Sequence, residues 1–363
     1  MTPLLHREAV SLIRSTWCVL VLLLLLGAVA CSDDGTDPTG ETPTDENPTA
    51  EPPTFTEKLF APQGNQLDVY DLVTGEMTVL IPTERYNING QACLLPDGSG
   101  NFLMGEDKGQ PELRAGWGIF SPDGTMVQKI EEPITPDEAE QPEPFGCGFD
   151  SEARLFVTDV GTGNFGFSDG KLIVFFPPEY ETFCLLDLTL RTAGTIVIAE
   201  DGSVYVTETV PPGEVLRFSP PFASGPEECD TVPPNRSTFL EGPALWTPFG
   251  IVQLPNGNWY VSSVLLPEPV ISEYDAEGNF VREIVAAGTG GTPAGLALAS
   301  DGTLYYADLA IVERPDAPVP FGPAAGEGTG RRVTFDENGT PSLPEIIGSG
   351  LDFPDAVSVV PLP

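Results

Sequence analysis

The sequence predicts an all-β fold, a six-bladed β-propeller closed by pairing its C-terminal strand with its N-terminal strands. Three observations predict it. The chain carries 39 glycines and 39 prolines in 363 residues, roughly twice their average usage, which helix interiors do not tolerate. A unit of four short apolar runs joined by tight turns recurs along it. The two ends look like complementary pieces of one further unit. With 40% hydrophobic residues and 20 phenylalanines, the chain has enough apolar surface to bury a core.

Residues 1–30 read as an export signal. Arg7 and Arg14 outweigh Glu8, and Cys18 to Ala30 is an uncharged run holding five consecutive leucines. That run is short for a membrane span and suits a signal-peptide core. It ends Leu-Gly-Ala-Val-Ala-Cys31. Ala28-Val29-Ala30 fits ordinary signal cleavage, and the same stretch resembles a bacterial lipobox with Cys31 as the lipidated residue. Ala28 stands where that motif usually has leucine. Residues 31–57 form an acidic, Thr/Pro-rich tether, with eight acids and no base from Ser32 to Glu57. Such a segment buries too little to order itself, and its prolines and like charges keep it extended. An anchored domain needs that spacer. The expectation is a lipoprotein of a bacterial cell envelope, at the outer membrane or cell surface, held to a membrane by an acyl chain.

Residues 58–363 form the propeller domain. Leu59 to Ala61, Gln66 to Leu72 and Met77 to Ile81 come first, with a turn at Thr74-Gly75. The next copy runs Gly90 to Leu95, turns at Asp97-Gly98 and closes with a hairpin at Asp123-Gly124. Another starts Pro144-Phe145-Gly146 and carries Arg154 to Asp159. A fourth turns at Asp201-Gly202 before Val204 to Thr207. The clearest copy is Pro248 to Val252, turn Asn256-Gly257, Trp259 to Val261, Val270 to Tyr274, turn Glu277-Gly278, then Phe280 to Val285. The last full copy starts Pro293 to Leu296, turns at Asp301-Gly302 and runs Leu304 to Asp308. Asn-Gly and Asp-Gly pairs supply the positive φ that two-residue hairpins demand. Phe353 to Val360 is an innermost strand with nothing after it. Pairing it with residues 58–81 completes a sixth blade, closes the ring and hides the sheet edges.

These copies resemble NHL-type repeats and the regucalcin/gluconolactonase-like propellers, through the P-x-G-[IL] entries at Pro248 to Ile251 and Pro293 to Leu296 and the turn-strand that follows each. The resemblance covers nearly all of residues 58–363, and its motifs are architectural. It implies a propeller and, for the gluconolactonase-like enzymes, a divalent cation such as calcium held at the mouth by one Glu, two Asn and one Asp. By position their entry Asn falls on Phe249 or Ala294, neither of which can ligate. Glu241-Gly242-Pro243 with Trp246 echoes their E-G-P-x-W segment. Glu241, Asn89 and Asp355 are the remaining candidates for a metal site.

The only histidine is His6, inside the signal. Its loss excludes Ser-His-Asp and Cys-His nucleophile systems and histidine-ligated metals from the mature chain. The net charge of -38 excludes a nucleic-acid binder. Four cysteines remain after export, Cys93, Cys147, Cys184 and Cys229, an even count that reads as two disulfides. Cys93 and Cys147 fall in the first strands of adjacent repeats, and Cys184 and Cys229 in the connections after two adjacent repeats. The pairs expected are therefore Cys93 with Cys147 and Cys184 with Cys229.

Loops between second and third strands, and between blades, crowd one face of a propeller. Here they are segments 105–116, 131–143, 160–170, 219–247 and 309–331. The segment 131–143 carries Glu131, Glu132, Asp137, Glu138, Glu140 and Glu143 without a base, a face that attracts cations or basic partners. The residue before each entry glycine should point into the central channel: Asn89, Phe145, Phe249, Ala294 and Asp355, with Ala193 and Gly194 both open for the fourth copy. That amphipathic mouth suits an apolar or aromatic group better than a hard cation. The expected role is a monomeric binding or scaffolding module with no cofactor, whose partner is a small molecule or an envelope protein. A metal-dependent lactonase or hydrolase of the gluconolactonase-like type is the alternative.

Overall fold

The computed structural model describes residues 55–106, 115–133, 143–161, 169–242, 245–265, 269–314 and 321–362. The signal and the tether up to residue 54, including Cys31, lie outside them, as do Asp137, Glu138, Glu140 and Pro243. The described chain forms six four-stranded antiparallel sheets around one axis.

Blade I begins with β1 (Thr56–Gln63), β2 (Gln66–Asp71) and β3 (Met77–Ile81). Blade II is β4 (Ile88–Leu94), β5 (Phe102–Glu106), β6 (Gly116–Phe120) and β7 (Met126–Glu131). Blade III is β8 (Pro144–Phe149), β9 (Leu155–Asp159), β10 (Gly170–Phe175) and β11 (Phe183–Leu190). Blade IV is β12 (Ala193–Ile198), β13 (Val204–Glu208), β14 (Glu214–Ser219) and β15 (Asn235–Glu241). Blade V is β16 (Pro248–Gln253), β17 (Trp259–Ser263), β18 (Val270–Tyr274) and β19 (Phe280–Val285). Blade VI is β20 (Pro293–Leu298) and β21 (Leu304–Asp308), a small hairpin of β22 (Ile311–Glu313) and β23 (Phe321–Pro323), then β24 (Gly328–Val333) and β25 (Glu345–Leu351). Last, β26 (Ser358–Leu362) returns to blade I and pairs with β1, from Thr56 opposite Leu362 to Phe60 opposite Ser358. The ring closes as the two chain ends predict. β1 starts two residues inside the stretch assigned to the tether.

Alternation within each strand sends one set of side chains to each neighbouring blade. The buried apolar residues accordingly form six clusters, one at each blade junction. Phe102, Phe120, Phe60 and Leu67 fill the junction of blades I and II; Trp117, Ile173 and Phe175 fill that of II and III. Tyr205, Trp259 and Leu240 fill IV to V. A buried side chain of this size contributes about 1.5–3 kcal/mol, so the core is distributed around the ring. Both expected disulfides are formed, with Cα separations of 6.0 Å for Cys93–Cys147 and 5.4 Å for Cys184–Cys229. The first joins the innermost strands of blades II and III. The second differs from expectation in placement: Cys184 lies in β11, and Cys229 follows a single 3-10 turn, Pro226–Glu228, between β14 and β15. It ties that segment to blade III beside Arg154, whose guanidinium bonds the carbonyls of Phe222 and Ala223.

The two faces are unlike. One, the turn face, carries the first-to-second and third-to-fourth strand connections, and both Thr56 and Leu362. The other, the loop face, carries the second-to-third loops and the connections between blades. Segment 219–247 divides between them, because β15 runs through it; only its last residues reach the loop face.

Candidate functional site

The loop-face mouth is built from the ends of the second strands inward. Opposite the first residue of each inner strand, blades II, III, IV and VI place an acid: Glu106, Asp159, Glu208 and Asp308. All four are buried, so each needs a cation or several donors. Glu106 pairs with Lys129; Asp159 with Lys171 at 3.0 Å; Glu208 with Arg191 at 2.9 Å; Asp308 with Arg331 at 2.8 Å. Three of them also accept the backbone N–H of the residue leading into the inner strand: Glu143 to Asp159, Arg191 to Glu208 and Thr292 to Asp308. Lys171 further holds the Glu132 carboxyl at 2.9 Å. Burial and the Asp159 charge push the Glu132 carboxyl up to about 10 against the pull of Lys171, so it is neutral at pH 7. Blade V breaks the series. Ser263 stands in the acid's place and its hydroxyl accepts the Thr247 N–H at 3.2 Å. The acid that closes each apolar-aromatic run was visible in the sequence, where its role as the fixing point of the blade entries went unread.

One residue earlier, in blades III, IV and V, a hydroxyl locks the blade to the next. Thr158 accepts the Gly146 N–H and donates to the Gly194 carbonyl of blade IV at 2.8 Å. Thr207 donates to the Phe249 carbonyl at 2.7 Å, and Ser262 to that of Ala294 at 2.6 Å. In blade VI the place is taken by Ala307, and the Gly295 N–H reaches the Asp355 carbonyl directly at 3.0 Å. A Cβ on Gly250 would meet the Ala294 oxygen at 2.4 Å. The entry glycine is thus a requirement of blade-to-blade approach.

This ladder resolves the entry positions. In blades III to VI the pairing skips from the first to the fourth residue, as from Pro144 to Cys147 and from Ala193 to Ile196; in blade II it skips one residue more, from Asn89 to Cys93. Gly194 is therefore the counterpart of Phe145 and Phe249. In blade II a Cβ on Gly90 would meet the Phe145 carbonyl, as one on Gly250 would meet that of Ala294, and Asn89 sits opposite Gly105, half-buried. The Gln91 amide crosses the channel to blade IV, donating to the Ile196 carbonyl at 3.2 Å and accepting its N–H at 3.3 Å.

Phe145 and Phe249 meet edge to face, with ring centroids 5.4 Å apart and planes at 87°. Phe145 is buried and Phe249 half-buried; Ala294 is fully buried beside them. Asp355 is buried too. Burial, with a smaller push from the Glu143 charge, raises its carboxyl to about 7 against the pull of two backbone amides. The mouth is therefore an aromatic stopper flanked by one carboxyl poised between its two forms. On the blade V side, where the charged collar is interrupted, Trp246 is 39% exposed and Leu265 half-buried.

The residues proposed for a divalent cation do not converge. Glu241 ends the outermost strand of blade IV, exposed and opposite Glu214, whereas Asn89 lies on the innermost strand of blade II and Asp355 just before β26. Among the described residues no three His, Cys, Asp or Glu side chains are grouped to hold a metal ion. This donor set does not fit a hard cation, which takes six or more oxygens.

No protein-family model matches the chain, and no curated protein matches it. Solved structures do. A protein of unknown function from Bacteroides caccae superposes with a TM-score of 0.55 at 15% identity, covering 84% of this chain and 99% of that one. A streptogramin B lyase gives 0.52 at 13% identity, covering 84% and 86%. The calcium-binding protein regucalcin from Agrobacterium tumefaciens gives 0.50 at 14% identity, covering 67% and 74%. At such identities the likeness is one of fold. The chain shares the β-propeller fold with these proteins, and its own ring has six blades.

Proposed function

We propose that the chain is an exported, lipid-anchored binding or scaffolding module of a bacterial cell envelope, which grips an apolar or aromatic group at its loop-face mouth. The observation that carries the reading is the Phe145–Phe249 contact beside the neutral stretch of the collar on blade V, at Ser263 and Thr247. An apolar group seated there desolvates no charge. A small molecule or a side chain of an envelope protein has that chemistry. The two disulfides accord with an oxidising compartment. The gluconolactonase-like alternative would need Glu241, at the end of the outermost strand of blade IV, to meet Asn89 and Asp355.

Tryptophan fluorescence tests the reading. Trp117 and Trp259 are buried, while Trp246 is 39% exposed at the mouth, so Trp246 alone should answer to acrylamide quenching. Titration with the neutral fluorophore N-phenyl-1-naphthylamine should protect it, and Phe249→Ala should weaken the protection. Quenching that is indifferent to the fluorophore would remove the mouth as the binding place.

A further inference from the structure

The other end of the axis is open. The turn face holds a cavity of about 540 Å³ lined by the first-to-second strand turns of blades IV, V and VI and by the start of β1. That volume lies in the range of small-molecule sites. Contacts between successive inner strands fix the ring order as blades I to VI, which puts blade I and blade IV on opposite sides of the axis. Each contributes one carboxylate to the cavity, Glu57 from blade I and Glu200 from blade IV. Between them the wall is apolar, formed by Leu254 and Leu298, with Gln253 as its amide.

The two acids differ in how they are held. Glu57 is fixed by Ser300, whose N–H donates to both carboxylate oxygens at 3.1 and 3.2 Å and whose hydroxyl donates at 2.9 Å. These are neutral donors, so the negative charge is oriented and not cancelled. Glu200 is exposed. No lysine or arginine lines the cavity. The arrangement is two anionic poles joined by an apolar strip.

From this placement we infer a second binding site, on the turn face, for an aliphatic diammonium cation: one ammonium at Glu57, the other at Glu200, and the methylene chain along Leu254 and Leu298. A monoamine would meet one pole only. An anion would be repelled by both, and a compact metal ion would leave the apolar strip uncovered. The site is independent of the loop-face mouth, and its failure leaves the function proposed above untouched.

Calorimetric titration of the exported chain at low salt tests it, with 1,4-diaminobutane against butylamine. The diamine should bind about fivefold tighter or more, the worth of one additional partly solvated ion pair. Glu200→Gln should bring the ratio of the two affinities to about one. Glu200 is exposed, so that variant keeps the fold. Glu313→Gln, which removes the same charge from the loop face, should leave the ratio unchanged. Equal binding of diamine and monoamine overturns the inference. So does an equal loss in Glu200→Gln and Glu313→Gln, which would mean diffuse attraction to a chain of net charge -38.

Discussion

The rings of Phe145 and Phe249 touch at 5.4 Å although the inner strand of blade IV lies between theirs. Between them stands Gly194, at the same ladder position in blade IV and without a side chain. The channel is thereby stopped at its loop end by a contact that no pair of adjacent blades makes.

Filling that position should be costly. A Cβ on Gly194 would meet the Thr207 hydroxyl at 2.4 Å and the Phe249 carbonyl at 3.2 Å, breaking the blade IV to blade V lock. Gly194→Val is expected to lose roughly 1–3 kcal/mol as an overpacked site, read as a lower urea midpoint with an unchanged slope. A midpoint within error of the wild type would show that the rings do not rely on the gap.

Asp355 sets a pH dependence with a defined sign. Its folded carboxyl is raised to about 7 from an ordinary 3.8, so its contribution is fully present below about pH 4. It is lost as the pH rises and levels off above about 7. Asp355→Asn should remove this slope and stabilise the protein at pH 8 by roughly 2 to 4 kcal/mol. Thermal melts of both proteins from pH 4 to 8 give the answer; parallel curves would mean the carboxyl is not desolvated.

The hydroxyl lock at Ser262 should be worth more than its size suggests. Ser262→Ala leaves the buried Gly250 N–H and Ala294 carbonyl without that partner, a loss of about 1–3 kcal/mol. Blade VI manages with Ala307 because Gly295 reaches Asp355 directly. Equilibrium unfolding in denaturant that shows less than about 0.5 kcal/mol would mean water replaces the hydroxyl.

The disulfides close loops of 54 and 45 residues. In the chain-entropy model each adds roughly 3 to 4 kcal/mol, so reduction should lower the melting temperature markedly. Peptide mapping without reduction should recover Cys93 with Cys147 and Cys184 with Cys229. Four free thiols in the exported protein would contradict the pairing.

The anchor is tested by Cys31→Ser. The variant should leave the membrane fraction for the soluble one while the propeller keeps its melting behaviour. Continued sedimentation with membranes would end the lipoprotein proposal.

The repeat, the closure of the ring and the cysteine pairing were legible in the sequence, because each rests on local chemistry: Asn-Gly and Asp-Gly turns force hairpins, and alternating apolar runs must bury one face against the next blade. The mouth was only partly legible. Phe145 and Phe249 could be placed at entry positions from their neighbouring Pro and Gly, but their contact is made across blade IV, whose Gly194 at the same ladder position lies 49 residues from one and 55 from the other. The reach of Gln91 to blade IV comes with one extra residue in the blade II bulge, and ladder pairing alone counts it. Glu241 shows the same limit in reverse: its neighbours suggested a ligand, and its strand carried it to the rim. Residue type and spacing determine what a blade is; only the packed ring decides which side chains from different blades meet at the axis, since those distances are set by packing between elements far apart in the chain.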